Sequence, residues 1–179
     1  MTIFADGFDR YSNCFCRRMK RRIIILRHAQ SAGKQANQTD YERSLTLEGE
    51  RAANNLGAMM LQQSIKPDYL LSSSAVRAKM TADIAIKSLG VSPSRVQYLK
   101  ELYEASTDVW VHQLQQLPDD AASPLLVGHN PVLSQLVSLL EGRLVDLAPA
   151  AFFTCEIDLD SWKDFPSTGE EFKEIFHTR

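Results

Sequence analysis

The chain of 179 residues has no apolar run near the roughly 18 residues that a membrane-crossing helix requires. Its N-terminus also lacks the basic, then apolar, then small order of a secretory signal. Cysteine is scarce: Cys14, Cys16 and Cys155 make an odd count without zinc-type pairs of C-x-x-C units, which argues for reduced thiols rather than a disulfide framework. Excess charge of either sign is missing too, since 20 Lys and Arg against 22 Asp and Glu leave a formal net charge of -2. A general attraction to nucleic acid or to a membrane surface is therefore not expected, and any anion binding must be local. No carboxylate cluster of metal-binding type occurs, so neither metal nor cofactor is expected. Internal repeats and low-complexity segments are absent as well. What remains is an ordinary globular composition, 44% hydrophobic and 23% charged, in a length that suits one domain and a cytoplasmic location.

The chain is organised around Arg22–Ser31, R-I-I-I-L-R-H-A-Q-S. Four apolar residues, three of them β-branched, run into arginine, histidine and small polar residues, the pattern of a buried strand ending in a charged turn. Ligands in open α/β folds collect at the carboxyl ends of parallel strands, where Arg27 and His28 would stand. Arginine presents a planar fork that matches phosphate oxygens, and a neutral imidazole can carry a phosphoryl group covalently. The pair thus points to phosphoryl chemistry.

Residues 1–18 have no clear period and read as an N-terminal extension outside the fold, with Met19 as an alternative natural start and 19–179 as the domain. The basic cluster Arg17–Arg22 reads as a solvated flank. The polar stretch Ala32–Arg43 marks a loop beside the site. Thr46 is placed to cap a helix that carries carboxylates in its first turn. A second strand, Tyr69–Ser72, ends in small hydroxyl residues before a helix from about Ala75 to Leu89, with Arg77 in its first turn. A third strand spans Arg95–Leu99 and is followed by Glu101-Leu102-Tyr103-Glu104. A helix-like pattern over Asp108–Leu117 leaves His112 on its surface. Pro124–Pro131 repeats the first motif's arrangement: a short apolar strand, Gly128, His129, and a proline where the helix Val132–Leu140 begins. Ala151–Leu159 and Glu170–His177 alternate like an antiparallel hairpin on the sheet edge.

Separate strand ends therefore carry Arg27-His28, Arg77 and His129, with Glu101 or Glu104 at a fourth. In Leu26–Ala29, Arg43–Gly49, Ser72–Ala78 with Thr81-Ala82, Glu101–Ala105 and Gly128–Pro131, the chain resembles the histidine phosphatase superfamily, and within it the short SixA-type phosphohistidine phosphatases. These pieces cover most of residues 20–140, with Ala29 where the family usually has glycine. The resemblance implies an α/β fold, a three-layer αβα sandwich of phosphoglycerate mutase-like type around a mostly parallel sheet. It further implies His28 as the phosphorylated nucleophile, Arg27 and Arg77 as clamps on the phosphoryl oxygens, and His129 as a hydrogen-bond donor. Ser31 and Glu104 are expected at the substrate, and Glu101 matches the general acid of mutase-like members. For His28 to attack it must be neutral, with its other ring nitrogen donating to an acceptor such as a backbone carbonyl. The expected partners are phosphate and a phosphohistidine-bearing protein such as a phosphotransfer domain, because no long insertion stands between Ser31 and the first helix, or between Arg77 and Glu101, to close the pocket. A small-molecule phosphomonoesterase and a non-catalytic phosphohistidine-binding module are the alternatives.

Overall fold

Successive side chains of a strand point to opposite faces, and Ile23, Ile24, Ile25 and Leu26 are all fully buried, so both faces of the sheet that contains them must be covered. The computed structural model, which describes residues 19–166 and 176–178, shows how. Ile23 and Ile25 pack with Trp110, Leu114, Leu133, Leu136 and Val137. Ile24 and Leu26 pack with Leu56, Met60, Ala78, Ala82 and Ala85 on the other side. The result is the expected three-layer αβα sandwich.

Strands β1 (Lys20–Arg27), β2 (Tyr69–Ser73), β3 (Val96–Leu99), β4 (Pro124–Gly128), β5 (Phe152–Asp158) and β6 (Phe176–Thr178) form one sheet in the order β3-β2-β4-β1-β5-β6. The first four are mutually parallel, while β5 runs antiparallel to β1 and β6 antiparallel to β5. The C-terminal edge pair is thus antiparallel as expected, although most of the strand expected over Glu170–His177 lies outside the described residues. Helices α1 (Leu47–Gln62) and α2 (Val76–Leu89) cover one face, and α3 (Thr107–Gln115) and α4 (Val132–Glu141) the other. Thr46 caps α1 as its position in the sequence predicts, its hydroxyl accepting from the Gly49 amide at 3.0 Å.

This connectivity places a crevice. The chain leaves β1 toward the face of α1 and leaves β4 toward the face of α4, yet β1 and β4 are neighbours paired through Ile24–Arg27 and Leu125–Gly128. Adjacent parallel strands whose connections diverge to opposite faces open a gap at their carboxyl ends. His28 follows one of these strands and His129 the other.

One expectation is overturned. The basic cluster Arg17–Arg22 is not simply a solvated flank, because Arg21, already within β1, is 1% exposed. Its guanidinium donates to the carbonyls of Leu159, Asp119, Ala121 and Asp160 and lies 5.2 Å from the centre of the Trp162 ring. A buried cation persists when its donors are satisfied; four carbonyls take four of its five, and an Asp119 carboxylate oxygen lies 3.8 Å from Nη2. Arg22, half-buried, pairs with Glu156 across the sheet. Residues 1–18, including Cys14 and Cys16, lie outside the described residues. Cys155 is a free thiol that burial pushes up to about 12. Among the described residues, no helix is long and apolar enough to cross a membrane.

Candidate active site

Parallel pairing carries two histidines to the same height. Arg27 stands opposite Gly128, and the His28 amide donates to the Gly128 carbonyl at 3.0 Å, so His28 and His129 leave their strands side by side. Their ring centroids are 5.0 Å apart. β2 is the other neighbour of β4, and its last residue, Ser73, places its hydroxyl 2.9 Å from His129 Nε2. Thr81, one helical turn after Arg77 on α2, accepts from the Ala29 amide at 3.0 Å, which ties the turn after β1 to that helix.

The His28 ring is fixed by its own turn. Nδ1 lies 2.7 Å from the Ala29 carbonyl, and a carbonyl only accepts, so Nδ1 carries the proton and Nε2 the lone pair. Arg77 Nε donates to that lone pair at 3.2 Å. Burial, the main cause, lowers the His28 pKa to about 4; the Ala29 carbonyl opposes the shift, and the charges of Arg77, Arg27 and Arg43 reinforce it. His129, 6% exposed, is lowered to about 3 by burial, then by His28 and Arg77. Both rings are neutral at pH 7. The backbone acceptor expected for His28 is thus present, supplied by the next residue.

Three arginines surround these rings. Arg77 is buried at the start of α2. Arg27 leaves the end of β1 and donates to the Leu147 carbonyl at 2.6 Å, while its buried Nε has no protein partner. Arg43 donates to Ser31 Oγ at 2.9 Å, to the Ala32 carbonyl and to Asp40 Oδ1. His129 Nδ1 is another buried polar atom without a protein partner. Unpaired buried donors cost free energy unless a ligand meets them, so a cluster of arginines with Arg27 Nε and His129 Nδ1 left over suits a multivalent oxyanion. Among the described residues no group of three or more His, Cys, Asp or Glu is placed to hold a metal ion.

The structure therefore gathers Arg27, His28, Arg77 and His129, with Ser31 joined to the group through Arg43. It treats the acidic residues differently. Glu101, on the short 3₁₀ turn Lys100–Leu102, is exposed and accepts from Gln113 on α3 at 2.5 Å. Glu104 is exposed as well. Between them Tyr103 meets the site, its ring edge-on to His129 with centroids 5.5 Å apart and 5.7 Å from the Arg77 guanidinium. Sequence reasoning singled out neither Tyr103 nor Asp40, which binds Arg77, Arg43 and Tyr103 at once. A lone aspartate in a polar loop carries no period or spacing that would have betrayed it.

Residues 23–125 match the histidine phosphatase superfamily (branch 1). An uncharacterized chloroplastic protein of Arabidopsis thaliana is 25% identical over 158 residues, covering 82% of this chain and 71% of its own. The solved structure of a SixA candidate phosphohistidine phosphatase from Nakamurella multipartitia superposes with a TM-score of 0.71 at 25% identity, over 84% of this chain and 92% of that one. The protein histidine phosphatase SixA complexed with tungstate gives 0.69 at 22% identity, over 88% and 94%.

Proposed function

The chain belongs to the histidine phosphatase superfamily, and on that premise we propose that it hydrolyses protein phosphohistidine through a covalent intermediate on His28. The observation that carries the reading is the state of the His28 ring: neutral, with the proton held on Nδ1 by the Ala29 carbonyl and the lone pair on Nε2 beside Arg77. In the first step Nε2 attacks phosphorus as the phosphorus–nitrogen bond of the substrate breaks. The bonding pair returns to the departing imidazole, which leaves neutral when its other nitrogen is protonated. Phospho-His28 keeps its Nδ1 proton, and the Ala29 carbonyl stabilises the resulting ring cation. Water then attacks phosphorus, both of its protons remain with the product as dihydrogen phosphate, and His28 is released neutral.

The Arg77 Nε–H yields the His28 lone pair to phosphorus, the Arg77 N–H groups not held by Asp40 bind phosphoryl oxygens, Arg27 supplies its unpaired Nε, and fixed cations there stabilise charge spread over the three equatorial oxygens. The Ser73 hydroxyl accepts from the Ala75 amide, so its own proton is available to His129 Nε2. With that hydroxyl donating to Nε2, the His129 proton sits on Nδ1, which has no protein partner, and there it donates to the phosphoryl group.

The position of Glu101 supports a phosphoramidate over an ester. An alkoxide must be protonated as it leaves, whereas an imidazole need not, and Glu101 is turned toward Gln113. The partly exposed His28 ring suits a phosphohistidine projecting from a protein partner, the kind of substrate that defines the SixA phosphatases this chain resembles. The test compares Glu101→Gln on a phosphohistidine protein and on an alkyl phosphate. The reading requires the protein substrate to be the faster one and its turnover to change less than about threefold in the variant. A preference for the ester, with turnover abolished by Glu101→Gln, would instead make the protein a small-molecule phosphomonoesterase.

A further inference from the structure

Asp40 belongs to the polar 32–43 loop, yet three other side chains converge on it. Its Oδ1 accepts from Arg43 at 2.7 Å, and its Oδ2 accepts from Arg77 at 2.9 Å and from the Tyr103 hydroxyl at 2.7 Å. Its main-chain carbonyl accepts a second bond from Arg77 at 2.6 Å. Arg77 comes from α2, Tyr103 from the turn after β3, and Arg43 from the loop's own end. One carboxylate thereby joins three segments that sequence separates by up to 63 residues.

The consequence for Arg77 can be counted. A guanidinium has five N–H donors. One is spent on His28 Nε2 and one from each terminal nitrogen on Asp40, which leaves one on each terminal nitrogen for phosphoryl oxygens. A guanidinium free to rotate would present those donors in many orientations; clamped at both terminal nitrogens it presents one. Like-charged Arg43 and Arg77 also need an anion between them to share the site, and the Arg43 and Tyr103 hydrogen bonds hold the Asp40 carboxyl well below the usual carboxylate range. Burial, then Asp40, pushes the Tyr103 hydroxyl up, so it remains a donor.

We propose that Asp40 is a positioning residue for phosphoryl transfer, fixing the plane of Arg77 so that its Nε addresses His28 until substrate enters and its two remaining terminal N–H groups face the phosphoryl oxygens. This rests on the assignment of His28 as nucleophile and Arg77 as clamp. The competing role for the same carboxylate is that of a resident counter-anion which substrate must push aside, and the two roles predict opposite signs.

The test uses Asp40→Asn and Asp40→Glu in the full chain, with three readouts: the single-turnover rate of His28 phosphorylation, the dissociation constant for inorganic phosphate, and the ¹⁵N resonance of His28 Nε2. Positioning predicts that Asp40→Asn slows phosphorylation about tenfold or more. Phosphate should bind at full stoichiometry and at least as tightly, because the site has lost a negative charge, and the Nε2 resonance should move toward that of an unbonded lone pair. Asp40→Glu should recover part of the rate. An unchanged or raised rate overturns the proposal, as the counter-anion role predicts. Should Asp40→Asn not fold, Tyr103→Phe, which removes one donor from Oδ2, should slow phosphorylation by about two- to fivefold, and an unaltered rate there counts against the proposal. Wild-type protein that never phosphorylates His28 would refute the functional reading instead; the Nε2 resonance still decides the positioning role in that case, since an unmoved signal in Asp40→Asn overturns it.

Discussion

At the scale of the residue, the chemistry depends on which nitrogen of His28 is free. Desolvation keeps the ring neutral and the Ala29 carbonyl selects the tautomer, so the proposed nucleophile needs no base to activate it. A pH dependence follows. With respect to His28, the rate of phosphoenzyme formation should be flat from pH 8 to about 5 and fall tenfold per pH unit below about 4, where Nε2 acquires a proton. Rapid-mixing measurements corrected for acid hydrolysis of the substrate check this, and an acid limb near 6.5 would show the ring to be unperturbed. Arg77 is a separate case. Lysine keeps the charge but loses the planar fork that reaches His28 and Asp40 together, so Arg77→Lys should cost on the order of a hundredfold in kcat/KM. Near wild-type kinetics for that variant would reduce Arg77 to a point charge.

At the scale of the element, close backbone contacts hold the site's loops. Gly49, in the first turn of α1, lies against the Gln30 backbone, and the Thr46 amide donates to the Gln30 carbonyl at 3.0 Å. A methyl group at Gly49 would collide with that carbonyl. Gly49→Ala should therefore destabilise the protein by about 2 kcal/mol and shift the turn after His28, as read by denaturant unfolding. The helices and strands themselves were legible, since a Thr46 cap and a proline at Pro131 mark real helix starts. Arg21 was not. Nothing in K-R-R-I-I-I distinguishes an arginine that will meet four carbonyls from a solvated one, because those carbonyls come from segments about 100 and 140 residues away. Asp40 was hidden for the same reason. Patterns of period report local burial, while a hydrogen-bond hub is a property of the assembled chain.

At the scale of the whole molecule, the topology turns four distant residues into one site. β1 and β4 must be neighbours with diverging connections for His28 and His129 to meet, and the sequence announced both strand ends but not their adjacency. Burying two imidazoles also has a global cost in acid. Their folded pKa values, about 4 and about 3, lie below the ordinary 6.5, so the unfolded chain takes up protons first. Their contribution is constant above about pH 6.5, and stability falls as pH drops from there toward 3. Guanidinium unfolding at pH 7 and pH 4.5 should show this loss, and His28→Gln should show less of it.

The central claim is that the phosphoryl group passes through His28. Mixing the protein with a phosphohistidine-bearing partner, quenching in alkali within milliseconds and mapping the phosphate by mass spectrometry tests it directly. The account predicts an alkali-stable, acid-labile phosphoryl group on His28 that forms and decays during turnover and never forms in His28→Ala. Dephosphorylation with the phosphate on another residue, or at an undiminished rate in His28→Ala, would contradict it.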